Sequence, residues 1–156
     1  MKQQWALFSV LLVLAFALAV AIGWDQLPFG LLGNPREVPV EQIPRGPRYV
    51  ATAGTAHFPV KVKLYYDNAL AHFGPETLYA FPLFAPDDFK GRDIHVLVLS
   101  PVEPDPLLDF EVRRVQGVVR RSTNRWLNKG VLQAFDDAGY RLADDLVLLI
   151  EDEGYQ

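Results

Sequence analysis

The sequence predicts an α+β protein. A single N-terminal transmembrane helix comes first. A mostly antiparallel β domain follows, a twisted sheet or small open barrel with one covering helix. Three observations carry this expectation. Residues 5–24 hold no charged side chain, and their only polar one is Ser9. Several later segments alternate apolar and polar residues, the period of a half-buried strand. One late segment repeats apolar residues at helical spacing. The expected organisation is an anchor over 1–24, a linker over 25–47 and a β-rich extracytoplasmic domain over 48–156.

The run from Trp5 to Trp24 would make a helix about 30 Å long at roughly 1.5 Å per residue, matching a bilayer's hydrocarbon core. Trp5 and Trp24 stand at its ends, where an amphipathic ring favours the lipid–water boundary. Ala19-Val20-Ala21 and Lys2 resemble the cleavage site and basic start of a signal peptide. The run is longer than a usual signal segment, so a retained anchor is expected. Lys2 precedes the run without an acidic neighbour, and no basic residue follows it before Arg36. That asymmetry puts the N-terminus in the cytoplasm and the domain in the periplasm, at a bacterial inner membrane. Ala15, Ala19 and Gly23 share one helix face, small enough for a partner helix to approach. The run has no ionisable residue and is an anchor, not a conduit.

Pro28, Pro35, Pro39, Pro44 and Pro47 make residues 25–47 an extended, semi-stiff spacer. Strands are expected at Arg48–Phe58, Val60–Tyr66, Leu78–Phe84 and Asp93–Ser100. Another is expected over Phe110–Arg121, with a bulge where the alternation slips at Arg113-Arg114. Ser122 or Thr123 would cap a helix whose stripe is Leu127, Val131, Phe135 and Ala138, ended by Gly139. Leu146–Ile150 is the last strand, before a polar tail. An oligonucleotide/oligosaccharide-binding-type barrel is the alternative, although the helix comes late for that fold.

The chain has no cysteine, so a thiol nucleophile, a disulfide, a lipoprotein anchor and covalently attached c-type haem are excluded. His57, His72 and His95 have no second ligand at metal spacing, and no paired-carboxylate, nucleophile-elbow or phosphate-loop pattern occurs. No enzyme activity, metal or cofactor is therefore expected. Asp87-Asp88 is read as a solvated loop. Charge is uneven. Arg113, Arg114, Arg120, Arg121, Arg125 and Lys129 form a basic window and a candidate docking patch. Residues 136–153 hold seven acidic residues with only Arg141 opposing them. The two windows either dock complementary partners or neutralise each other internally. The net charge of −4 argues against nucleic acid.

Val115-Gln-Gly-Val-Val-Arg120 is similar to a strand of the Surf-type cytochrome oxidase assembly proteins, over six residues. The layout of helix, spacer and β-rich domain resembles bacterial membrane-complex accessory and assembly proteins. Barrel-bearing haem chaperones share that layout, but their histidine-tyrosine haem-attachment motif is absent. No family is assigned. The expected role is a non-catalytic accessory subunit of a multi-subunit bacterial membrane complex, energy-transducing, respiratory or photosynthetic. Its partners would be other membrane-protein subunits and the lipid bilayer. The alternatives are an assembly factor, or a small-molecule or lipid-binding module with an aromatic-lined barrel mouth.

Overall fold

The computed structural model describes residues 11–14, 33–58, 62–65, 77–121 and 127–152. The chain divides into two compact units, Met1–Gly33 and Asn34–Gln156. Residues 11–14 of the first are helical. The second holds seven strands: β1 (Arg36–Glu37), β2 (Tyr49–Ala56), β3 (Val62–Tyr65), β4 (Thr77–Phe84), β5 (Asp93–Ser100), β6 (Val112–Arg120) and β7 (Arg141–Glu151). One α-helix, α1 (Lys129–Asp137), and 3-10 turns at Val40–Arg45 and Pro106–Leu108 complete the described elements.

Five strands close into a barrel. β2 pairs antiparallel with β6 from Tyr49↔Val118 to Thr55↔Val112. β6 pairs antiparallel with β7, and β7 runs parallel to β5. β4 joins β5, and the circuit closes where β4 meets β2 at Thr55↔Phe84 and Ala56↔Leu83. The order is a Greek key, as in the barrel type named above as the alternative. β3 extends the sheet beyond β4, and β1 lies parallel to β2.

This corrects the expected class. Of the described residues, 47% are in strands and 21% are helical, and the sheet is a closed five-stranded barrel. The protein is mostly β rather than α+β, and the barrel is not open. Among the described residues no helix is long and apolar enough to cross a membrane. That finding overturns both the transmembrane helix and the single-pass inner-membrane location. Trp5, Ala15, Ala19, Gly23 and Trp24, on which those expectations stood, lie outside the described residues.

Two core layers follow from strand alternation. Val50, Phe81, Val96, Val98, Val115, Val119, Val147 and Leu149 fill the barrel. Ile94, Leu97, Leu99 and Leu148 face outward under α1, against Val131 and Phe135. A register shift between Ile94 and Val96 switches β5 from one layer to the other. It leaves His95 exposed between them.

Part of the expected spacer belongs to the domain. β1 pairs with β2, and the Val40–Arg45 turn buries Val40, Ile43 and Pro44. Val40 and Ile43 join the barrel core. The bulge expected at Arg113-Arg114 is absent, since β6 keeps an unbroken register with β2 through both residues. The slip in polarity arises because Arg113 bonds the buried Glu151.

α1 starts five or six residues later than the Ser122/Thr123 caps implied, and those residues are outside the described set. Its cap is Asn128, whose side chain accepts from the N–H of Val131 at 3.1 Å. Gly139 ends it at φ +79°. Gly139 N–H bonds Asp136 O, and Tyr140 N–H bonds Phe135 O. These are the two bonds of a Schellman ending.

Two stability predictions follow. Asn128→Ala should lower unfolding free energy by about 1 kcal/mol in urea titration, the usual cost of a lost N-cap. Gly117→Ala should cost more, about 1–3 kcal/mol. A Cβ at Gly117 would overlap the Ile150 carbonyl on β7, and a barrel wall cannot move one strand alone.

Candidate functional site

Among the described residues, the loop from β5 to β6 is the most unusual surface. It displays Val102 (43% exposed), Leu107 (87%), Leu108 (47%) and Phe110 (38%), followed by Val112 (54%) at the start of β6. Scattered exposed leucines are ordinary, but this many apolar side chains within eleven residues are not. Pro101, Pro104 and Pro106 keep the segment out of strand and α-helix, leaving one 3-10 turn at Pro106–Leu108.

The loop is held by its own hydrogen bonds. Asp105 accepts from Leu107 N–H through its side chain at 2.9 Å and from Leu108 N–H through its carbonyl at 3.0 Å. Asp109 Oδ1 accepts from Phe58 N–H at 2.7 Å. Phe110 N–H bonds Ala56 O at 2.9 Å, and Ala56 N–H bonds Glu111 O at 3.2 Å. Phe110 has φ +62°, a left-handed conformation that costs a bulky residue about 1–3 kcal/mol.

His57 supports the loop from beneath. It is fully buried, in ring contact with Phe110 at 4.7 Å, Phe84 at 4.2 Å and Tyr140 at 5.9 Å. Nε2 lies 3.1 Å from the carbonyl of Asp88, and Nδ1 lies 3.1 Å from the Tyr140 hydroxyl. A carbonyl only accepts, so in the neutral ring Nε2 donates to Asp88 and Tyr140 donates to Nδ1. Burial lowers the His57 pKa below its ordinary value, opposed by the Asp88 hydrogen bond and the charges of Asp109 and Asp88. Arg92 lies over the Tyr140 ring at 4.9 Å and lowers the His57 pKa further. Burial also raises the Tyr140 pKa.

A separate cleft of about 440 Å³ is lined by residues that include Glu41, Arg45, Asp88, Arg92, His95 and Asp145. His95 Nδ1 sits 2.5 Å from Asp145 Oδ1, with both side chains about half exposed. A carboxylate can orient an imidazole for base catalysis, but the hydrogen bonds among the described residues put no nucleophile on His95. Among the described residues no three His, Cys, Asp or Glu side chains could hold a metal ion.

The basic window is not one face. Arg113 Nη2 donates to both carboxylate oxygens of Glu151, at 2.7 and 3.0 Å, and the guanidinium lies over Phe81 at 5.4 Å. Arg114 pairs with Glu37 of β1. Arg121, beyond the far end of β6, bonds the carbonyls of Pro44 and Gly46. Arg120 has an interaction of its own. Lys129 is exposed at the start of α1. Arg125 and His72 lie outside the described residues. Arg113 and Arg120 stand roughly 23 Å apart at about 3.3 Å per residue.

Sequence reasoning took Phe110 as the start of a strand and missed the loop. The available signal was apolar residues set among prolines and acids, in neither a strand nor a helix period. Comparison with known proteins gave no match to a family model, a curated protein or a solved structure.

The His57 environment sets a pH dependence. The folded pKa lies below the unfolded value of 6.5, so between the two the unfolded chain binds more protons. The neutral ring's contribution is fully present above about pH 6.5 and declines as pH falls toward the folded pKa. His57→Gln keeps one donor and one acceptor but does not titrate. Urea midpoints should fall less for this variant than for the native chain between pH 7.5 and 5.5, values chosen to bracket the histidine range.

Proposed function

We propose that this protein is a non-catalytic docking subunit, an accessory component of a multi-subunit assembly that it joins through the β5–β6 loop. The observation that carries the reading is the display of Leu107, Leu108, Phe110 and Val112 on a loop fixed by hydrogen bonds at both ends. An apolar surface of this kind is stabilised by covering it, and a preordered one loses little entropy on binding. The barrel interior supports the same reading. Phe81, Val96, Val98, Val115 and Leu149 are all fully buried there, so a ligand in the lumen would have to displace close-packed side chains. Fold alone argues nothing, since one barrel type hosts many roles. The loop's acidic residues also disfavour a phosphate backbone as partner.

Leu107 is the test residue because it is almost wholly exposed and supports no core. Leu107→Asp should leave circular dichroism and the thermal midpoint unchanged. It should reduce recovery of the native partner in quantitative co-purification from the source cells by about tenfold or more, an interface loss of roughly 1.4 kcal/mol. Undiminished recovery would overturn the docking reading.

A further inference from the structure

The loop also carries a charge pattern that specifies what can cover it. Asp105, Asp109 and Glu111 alternate with the exposed apolar residues, and no Lys or Arg occurs from 101 to 112. Asp105 and Glu111 are exposed and Asp109 is half-buried. The side-chain bonds of Asp105 and Asp109 are to the backbone N–H groups of Leu107 and Phe58. Glu103 has an interaction of its own, so the argument rests on the other three acids. None of the three forms an ion pair among the described residues. The nearest basic residue in sequence, Arg113, is committed to Glu151.

From this juxtaposition we infer that the loop docks a cationic amphipathic segment of a partner protein, with Lys or Arg residues flanking an apolar stripe. The inference rests on the docking reading and deepens it. An apolar partner without charge would leave three carboxylates partly desolvated and unanswered at the rim. An acidic or phosphate-bearing surface would meet like charge, which suppresses the wrong partner and slows encounter. A basic segment with leucines at helical spacing answers both features, apolar stripe against Leu107, Leu108, Phe110 and Val112, cations against the acids. An anionic membrane is disfavoured on the same electrostatic ground. A second copy of this chain is disfavoured because the arginines on and just after its β6 are already engaged: Arg113 and Arg114 with carboxylates, Arg121, just past the strand, with backbone carbonyls, and Arg120 in an interaction of its own.

The experiment uses the full-length protein and two short fluorescent helical peptides that share one leucine stripe. One carries lysines on its other face and the other carries glutamates. Anisotropy titration should show the lysine peptide binding at least about tenfold more tightly, with the preference weakening as salt rises. The key variant is Asp105→Asn, Asp109→Asn, Glu111→Gln combined. Asparagine retains the oxygen that accepts Leu107 and Phe58 N–H, so the loop keeps its shape while losing charge. This variant should lose about tenfold in affinity for the lysine peptide and bind both peptides alike. Equal binding of the two peptides to the native chain would overturn the inference. So would preferential binding to anionic phosphatidylserine vesicles, or concentration-dependent self-association abolished by Leu107→Asp. The outcomes separate the two proposals. If Leu107→Asp abolishes co-purification but the amide variant does not, docking stands and the charge argument falls. If Leu107→Asp has no effect on co-purification, the docking reading itself falls.

Discussion

The domain depends on closing its barrel at the seam between β2 and β4. Every other neighbouring pair in the circuit shares four or more residue positions, while this one shares two, Thr55↔Phe84 and Ala56↔Leu83. β2 serves three partners: β6 along its length, β1 near its start and β4 at its end. Gly54 sits where it turns from one to another. A Cβ there would meet the Phe84 carbonyl, Val40 Cγ2 and Leu83 Cγ, so the seam closes because that side chain is absent. The same turn delivers His57 to the seam, where its N–H bonds Pro82 O. A proline interrupts the ladder of most strands. Here its carbonyl still serves as an acceptor just beyond the two paired positions.

The buried polar groups at the barrel wall follow a second constraint. Glu151 ends β7 at 8% exposure, and an unpaired carboxylate there would carry a heavy desolvation cost. Arg113 answers it with two hydrogen bonds and lays its guanidinium over Phe81. Such a pair contributes little net stability, since desolvation offsets most of the attraction. Breaking it on one side would be costly. Tyr49 adds a companion bond, donating to Asp152 at 2.9 Å and accepting from Gln116 at 2.7 Å. Together these contacts tie β7 to β2 and β6 through side chains as well as ladders. Thr52 is the exception, a buried hydroxyl with no hydrogen-bond partner among the described residues.

Legibility in the sequence tracked how local the determining physics was. Asp93–Ser100 was readable because its alternation and flanking residues decide it without outside help. Gly139 was readable because a helix ending needs a left-handed residue at that spot. Arg113 was misread because an inward arginine looks like a phase error until Glu151 is placed opposite it, 38 residues away. The Val40–Arg45 turn was misread because prolines suggested a spacer, while burial of Ile43 depends on strands not yet assembled around it. Closure itself was invisible, as two pairings near Ala56 leave no periodic mark. The candidate loop was missed for a related reason. Its apolar residues fit neither period, and a sequence alone does not say which apolar residues stay outside.

Strain and exposure meet at Phe110. A phenylalanine in the left-handed region would relax if the backbone were free to do so. Ala56 prevents this, bonding Phe110 N–H on one side and Glu111 O on the other. The buried His57 ring then supports Phe110 edge-on, so the loop cannot flatten against the barrel to hide its leucines. The backbone that closes the barrel therefore also keeps the apolar surface displayed. A glycine at position 110 would relieve that backbone strain but would also remove the ring packed on His57 at 4.7 Å. On the docking proposal, a fixed Phe110 and an exposed Leu107 offer a partner a surface that is already ordered.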